Sequence, residues 1–133
     1  MPPELEEVRR RVEKADRDRR TAELSFQATP PITDTSAFHC QQAVEKLFKG
    51  YLAWREVEFE KTHDLRALAE LCAEQDRAFL DHLDSAESLT VYAVRFRYPG
   101  PADPTVEQVR RALEIVNDIR AFVMARLPAE CRP

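Results

Sequence analysis

The sequence predicts an all-α protein, an up-and-down antiparallel bundle of four main helices with one short extra helix. Three observations lead there. Apolar residues recur at steps of three and four along most of the chain, the period of a helix face. Nine prolines fall mainly in clusters at Pro2-Pro3, Pro30-Pro31 and Pro99 to Pro104, where they break helices, while two glycines leave little turn chemistry for hairpins. Ala, Leu, Glu and Arg are abundant, and the chain is 33% charged and 44% hydrophobic, a balance suited to amphipathic helices rather than to disorder. Its 133 residues fit one domain, taken as 1–133.

The first helix carries Leu5, Val8, Val12, Ala15, Ala22 and Phe26 on one stripe, with Arg19 as an interruption. The charges between them, including Arg9 to Arg11 and Arg17 to Arg20, are read as a solvated face. Pro30 ends this helix before it. Asp34, Thr35 or Ser36 caps the second helix, whose Cys40, Val44, Leu47, Phe48, Tyr51 and Leu52 face a core. Gln41, Gln42, Glu45, Lys46 and Lys49 make its other face. Gly50 costs about 1 kcal/mol against alanine inside a helix, so it marks a close approach of another helix.

After Trp54, the charged stretch Arg55 to Lys61 is a connection. Thr62 is the expected cap of the third helix, with His63 at its start and Leu65, Leu68, Ala69 and Cys72 buried. Ala78 to Leu83 forms the short extra segment. A fourth helix is expected from about Ser85 to Arg97, with Ala86, Leu89, Ala93 and Phe96 in register. Thr105 and Gln108 have capping-box spacing at the start of the last helix, whose apolar face runs from Val109 to Leu127 before Pro128 ends it.

Composition and spacing also exclude some chemistry. A net charge of −4 opposes generic nucleic-acid binding, although a local basic face is compatible with it. Cys40, Cys72 and Cys131 lack the close pairing of zinc sites, and His39, His63 and His82 share no ligand spacing, so no metal and no cofactor is expected. The thiols are read as buried and free in a reducing compartment. No apolar run approaches a membrane span and no signal-peptide pattern opens the chain, so a cytoplasmic location without membrane association is expected. There is no phosphate-cradling glycine loop and no nucleophile elbow.

Three segments remain: Gln41-Gln42-Ala43-Val44-Glu45-Lys46-Leu47-Phe48-Lys49, Lys61-Thr62-His63-Asp64-Leu65, and Arg95-Phe96-Arg97-Tyr98-Pro99. Each has an ordinary account. Glu45 and Lys49 are an i,i+4 pair, His63 opens a helix, and Arg97-Tyr98-Pro99 suits a helix C-terminus. In this order, followed by a long amphipathic helix, they resemble the HEPN family of small helical domains over about Ala37 to Leu127. The proline-rich join between the first two helices and the charged connection after Trp54 depart from the family pattern.

The resemblance implies a homodimeric binding module, without catalytic residues of its own, that partners a small nucleotidyltransferase and binds a nucleotide or RNA. Lys46, Lys49, His63, Arg95, Arg97 and Tyr98 are the binding residues it implies. Lys46, Lys49, Arg95 and Arg97 would form a cationic wall for a phosphate or an acidic partner, and His63 at a helix start would add a phosphate contact. Two alternatives stay open. Arg77 and His82 have the arginine-to-histidine spacing of the family's metal-independent endoribonucleases of toxin–antitoxin type, in which histidine moves a proton and arginine stabilises the phosphorane. The other is a homomeric adaptor that binds no nucleotide.

Overall fold

A computed structural model describes residues 1–94 and 103–133. Among the described residues five α-helices follow in order: α1 (Pro3–Gln27), α2 (Thr33–Trp54), α3 (Leu65–Gln75), α4 (Leu83–Leu89) and α5 (Val106–Met124). Short 3-10 helices occupy Arg77–His82, Thr90–Val94 and Ala129–Cys131. The architecture is the predicted up-and-down antiparallel helical bundle. Helix α2 lies at its centre, against α1 along one flank, α3 on another and α5 at its back.

The core follows the helical period. Cys40, Val44, Leu47, Phe48, Tyr51 and Leu52 of α2 are buried with Val8, Val12 and Ala15 of α1, Leu65, Leu68 and Cys72 of α3, and Val116, Ile119 and Val123 of α5. Phe79, from the 3-10 helix after α3, fills the middle of an aromatic cluster. Its ring centroid lies 4.6 Å from that of Tyr51, 4.8 Å from Phe122 and 6.1 Å from Phe48.

Polar contacts set the register of α1 against α5. Arg120 donates to both oxygens of Asp16, Arg19 donates to Asn117 at 2.9 Å, and the Arg110 guanidinium stands 5.4 Å from the Phe26 ring centre. Each pair's numbers sum to the same value, as a straight antiparallel pairing requires. Gly50 of α2 faces α1, where a Cβ would stand 3.7 Å from the Arg11 Cβ and 3.9 Å from the Val12 Cγ2. The sequence reading of a helix approach at this glycine agrees with that geometry.

Several boundaries differ from the sequence reading. Helix α2 begins at Thr33, ahead of the three expected caps; its N-cap is Ile32, without a side-chain hydrogen bond. Ser36 instead donates its hydroxyl to the Ala22 carbonyl of α1 at 2.7 Å, so that helix contact takes the side chain a cap would have used. Asp64, not Thr62, caps α3 by accepting from the Ala67 N–H, while Thr62 accepts from the Asp64 N–H. His63 therefore precedes the helix. The fourth helix ends at Leu89 and gives way to a 3-10 helix at the β-branched pair Thr90 and Val91, where the Thr90 hydroxyl accepts from the Leu65 N–H. Thr105 and Gln108 form the expected capping box at the start of α5.

The connection after α2 is aimed by a Schellman turn. Val57 N–H bonds the Leu52 carbonyl at 2.9 Å and Glu56 N–H bonds that of Ala53 at 3.1 Å, with Glu56 at φ 56° in the left-handed region. Val57 then packs against the core, and the following residues carry Phe59 and His63 back along α2.

Candidate functional site

His39, Gln42, Lys46 and Lys49 recur along α2 at i, i+3, i+7 and i+10, which places them on one strip of the helix surface. Two buried carboxylates lie behind it. Asp18 of α1 is 7% exposed and Glu45 of α2 is 6% exposed. Their burial corrects the reading of Arg17 to Arg20 as a solvated face and of Glu45 as half of a surface pair. Gln41, also assigned to the outer face, is fully buried.

Each carboxylate accepts from one histidine and one lysine, and Glu45 from Gln41 as well. Asp18 accepts from Nδ1 of His39 at 2.7 Å through one oxygen and from Nζ of Lys46 through the other. Glu45 accepts from Nδ1 of His63 at 2.7 Å, Nε2 of Gln41 at 3.0 Å and Nζ of Lys49 at 3.0 Å. Gln42 donates to Gln41 at 2.6 Å and so joins the strip to the second group. Burial pushes the Glu45 carboxyl up, but the hydrogen bonds from His63, Gln41 and Lys49, with the Lys49 charge, outweigh it and hold Glu45 below its ordinary value.

A carboxylate can only accept a hydrogen bond, so Nδ1 carries the proton on both histidines. Nε2 is then the nitrogen left for other partners, an acceptor on the neutral ring and a donor on the charged one. His63 is exposed and His39 half-buried. Lys49 also stands 5.9 Å from the Phe59 ring centre, and the Arg11 guanidinium 5.6 Å from it, so a second cation borders the strip from α1.

Of the residues singled out from the sequence, Lys49 and His63 meet through Glu45, and Lys46 lies on the same strip bound to Asp18. Arg95, Arg97 and Tyr98 lie outside the described residues. Asp18 and His39 were missed, although the sequence carried a signal. Asp18 falls three residues after Ala15 and four before Ala22, on the apolar stripe itself, where a charge must be paired to be tolerated. The interruption is Asp18, not Arg19.

Arg77 and His82 stand at opposite ends of the 3-10 helix Arg77–His82. Arg77 is exposed and His82 is half-buried, with its ring centroid 4.3 Å from that of Phe122. Arg126 covers Phe122 at 3.6 Å and bonds Asp76 at 2.8 Å. Burial pushes the His82 imidazole below its ordinary value, and the Arg126 charge adds to this against the opposing pull of Asp81 and Asp118.

The three cysteines are free and buried. Burial, reinforced by Glu23, pushes the Cys40 thiol up to about 12, and burial likewise raises Cys72 and Cys131, so none is a reactive thiolate at neutral pH. Among the described residues no group of three or more His, Cys, Asp or Glu side chains could hold a metal ion, and no helix is long and apolar enough to cross a membrane.

Comparison with known proteins agrees with the fold. The crystal structure of TT1696 from Thermus thermophilus is similar at a TM-score of 0.78 and 28% sequence identity, over 90% of this chain and 98% of that one. No curated protein matches. The model of the HEPN domain family matches residues 8–127, most of the chain, and with it the α1 carboxylate, the α2 strip and the α5 face. The chain belongs to the HEPN domain family.

Proposed function

We propose that this HEPN domain is a binding module that holds a phosphate-bearing ligand, a nucleotide, for a small nucleotidyltransferase, and that it has no chemistry of its own. The observation that carries this reading is the cluster of Lys46, Lys49 and His39 on the α2 strip with His63 beside it, all four held by buried Asp18 and Glu45. Lysines fixed in this way lose little freedom when they grip an oxyanion. Arg95, Arg97 and Tyr98 belong to the same proposal on the family resemblance.

One further feature favours binding over cleavage: the His82 ring is half-buried against Phe122, whose ring Arg126 also covers, so the imidazole is engaged in packing. The partner, the cytoplasmic location and the homodimer are part of the proposal. Titration calorimetry with ATP tests the binding reading. Saturable binding that weakens at least tenfold in Lys46→Ala or Lys49→Ala supports it; a heatless titration of the unmutated protein favours the adaptor without nucleotide affinity.

A further inference from the structure

We infer that the α2 strip is a proton-coupled oxyanion site, extending through His39 to α1, in which the two histidines supply the net positive charge that a doubly charged tetrahedral anion requires. This rests on the binding reading above and adds its regulation. The inference comes from counting charges in the two groups. Lys46 is matched by Asp18 and Lys49 by Glu45, so the four ions cancel in pairs. A site that looks basic along the sequence is close to neutral once its carboxylates are included.

What remains variable is the histidines. His39 faces Asp18 from α1 and Lys46 from its own helix, with the Arg19–Glu23 pair one turn away on α1. His63 faces Glu45 and Lys49 from α2, with Asp64 beside it in the chain and Arg11 of α1 across the Phe59 ring. In both, Nδ1 is committed to the carboxylate, so a proton taken up enters at Nε2, the nitrogen not committed to the carboxylate. Histidine is the side chain that changes charge in the neutral range. The lysine–carboxylate pairs leave nothing to offset the two negative charges of an oxyanion on the strip, and protons carried at Nε2 of His39 and His63 balance them. Each new N–H also donates to the ligand, a charge-assisted hydrogen bond shorter and stronger than a neutral one.

By linkage, a ligand that binds the protonated form better must raise the proton affinity of the group it binds. Sulfate is the probe, because its charge is constant from pH 6 to 8. The three histidines are followed by NMR titration, with and without sulfate. We expect the midpoints of His39 and His63 to rise with sulfate while His82, on Phe122, does not move. Sulfate should bind about tenfold or more tightly at pH 6 than at pH 8. His39→Gln can keep a donor to Asp18 but cannot charge, and should lose part of that pH dependence. Shifted strip resonances with unmoved histidine midpoints would overturn the inference and leave the binding reading intact. No response to sulfate or to ATP between pH 6 and 8 would overturn both. ATP binding at least tenfold tighter than sulfate at pH 8 would assign the oxyanion to a nucleotide, and equal affinity to a free anion.

Discussion

Asp18 of α1 and Lys46 of α2 form an ion pair whose carboxylate is sealed between the helices while the ammonium reaches the surface. The same carboxylate holds His39 at 2.7 Å. One buried charge thus fixes two side chains of the strip and ties α1 to α2, so structure and candidate function share a residue. Glu45 repeats the arrangement with Lys49 and His63 and ties the connection after α2 to the helix.

Asp18→Ala should destabilise the fold by about 2 kcal/mol, the scale of a hydrogen bond to a charged group, reduced because Lys46 and His39 can still turn to water. Urea unfolding measures it. A change within about 0.5 kcal/mol would mean that the pair contributes no more than an exposed salt bridge.

Glu45 sets a pH dependence whose sign is fixed by its environment. Its folded value lies below the ordinary 4.5, so folding favours the ionised carboxylate. The resulting stability is fully present above that ordinary value and is lost as pH falls through the lower folded value. Wild type should exceed Glu45→Gln by about 1 to 2 kcal/mol at pH 7, and the gap should narrow as the pH falls below the ordinary 4.5. Thermal unfolding of both proteins from pH 3 to 7 checks this; a gap that widens toward low pH contradicts it.

Glu56 holds a left-handed backbone at φ 56°, which costs a residue bearing a Cβ about 1 kcal/mol. Glu56→Gly should therefore raise stability by about 0.5 to 1 kcal/mol, because the turn gains more than the unfolded chain does. Destabilisation by the glycine would show that the Glu56 side chain contributes more than its backbone strain costs.

Gly50 offers the opposite case. The added methyl of Gly50→Ala would meet Arg11 and Val12 at ordinary van der Waals distance, so helix propensity decides the sign. Stability should rise by about 0.5 to 1 kcal/mol. A loss instead would mean that α1 and α2 require the bare backbone there.

The bundle was legible because its helices bury strictly periodic stripes. Leu65, Leu68 and Cys72, or Val109, Val116 and Val123, need no knowledge of their neighbours to be placed inside. Helix ends were less legible, since Ser36 bonds α1 rather than capping its own helix, and Thr90 turns toward Leu65 rather than extending α4. The strip was half legible. Lys46, Lys49 and His63 stood out on the family resemblance, but the carboxylates that organise them depend on partners at sequence separations of 18 to 28 residues. No local pattern records such a contact, apart from the one charge set on an apolar stripe.

The central claim, a face that binds a nucleotide without cutting nucleic acid, is tested most directly by incubating the purified protein with RNA in EDTA, with His82→Ala alongside. The account predicts intact RNA for both proteins. Cleavage by the unmutated protein that disappears in His82→Ala would contradict it and make this chain a metal-independent endoribonuclease.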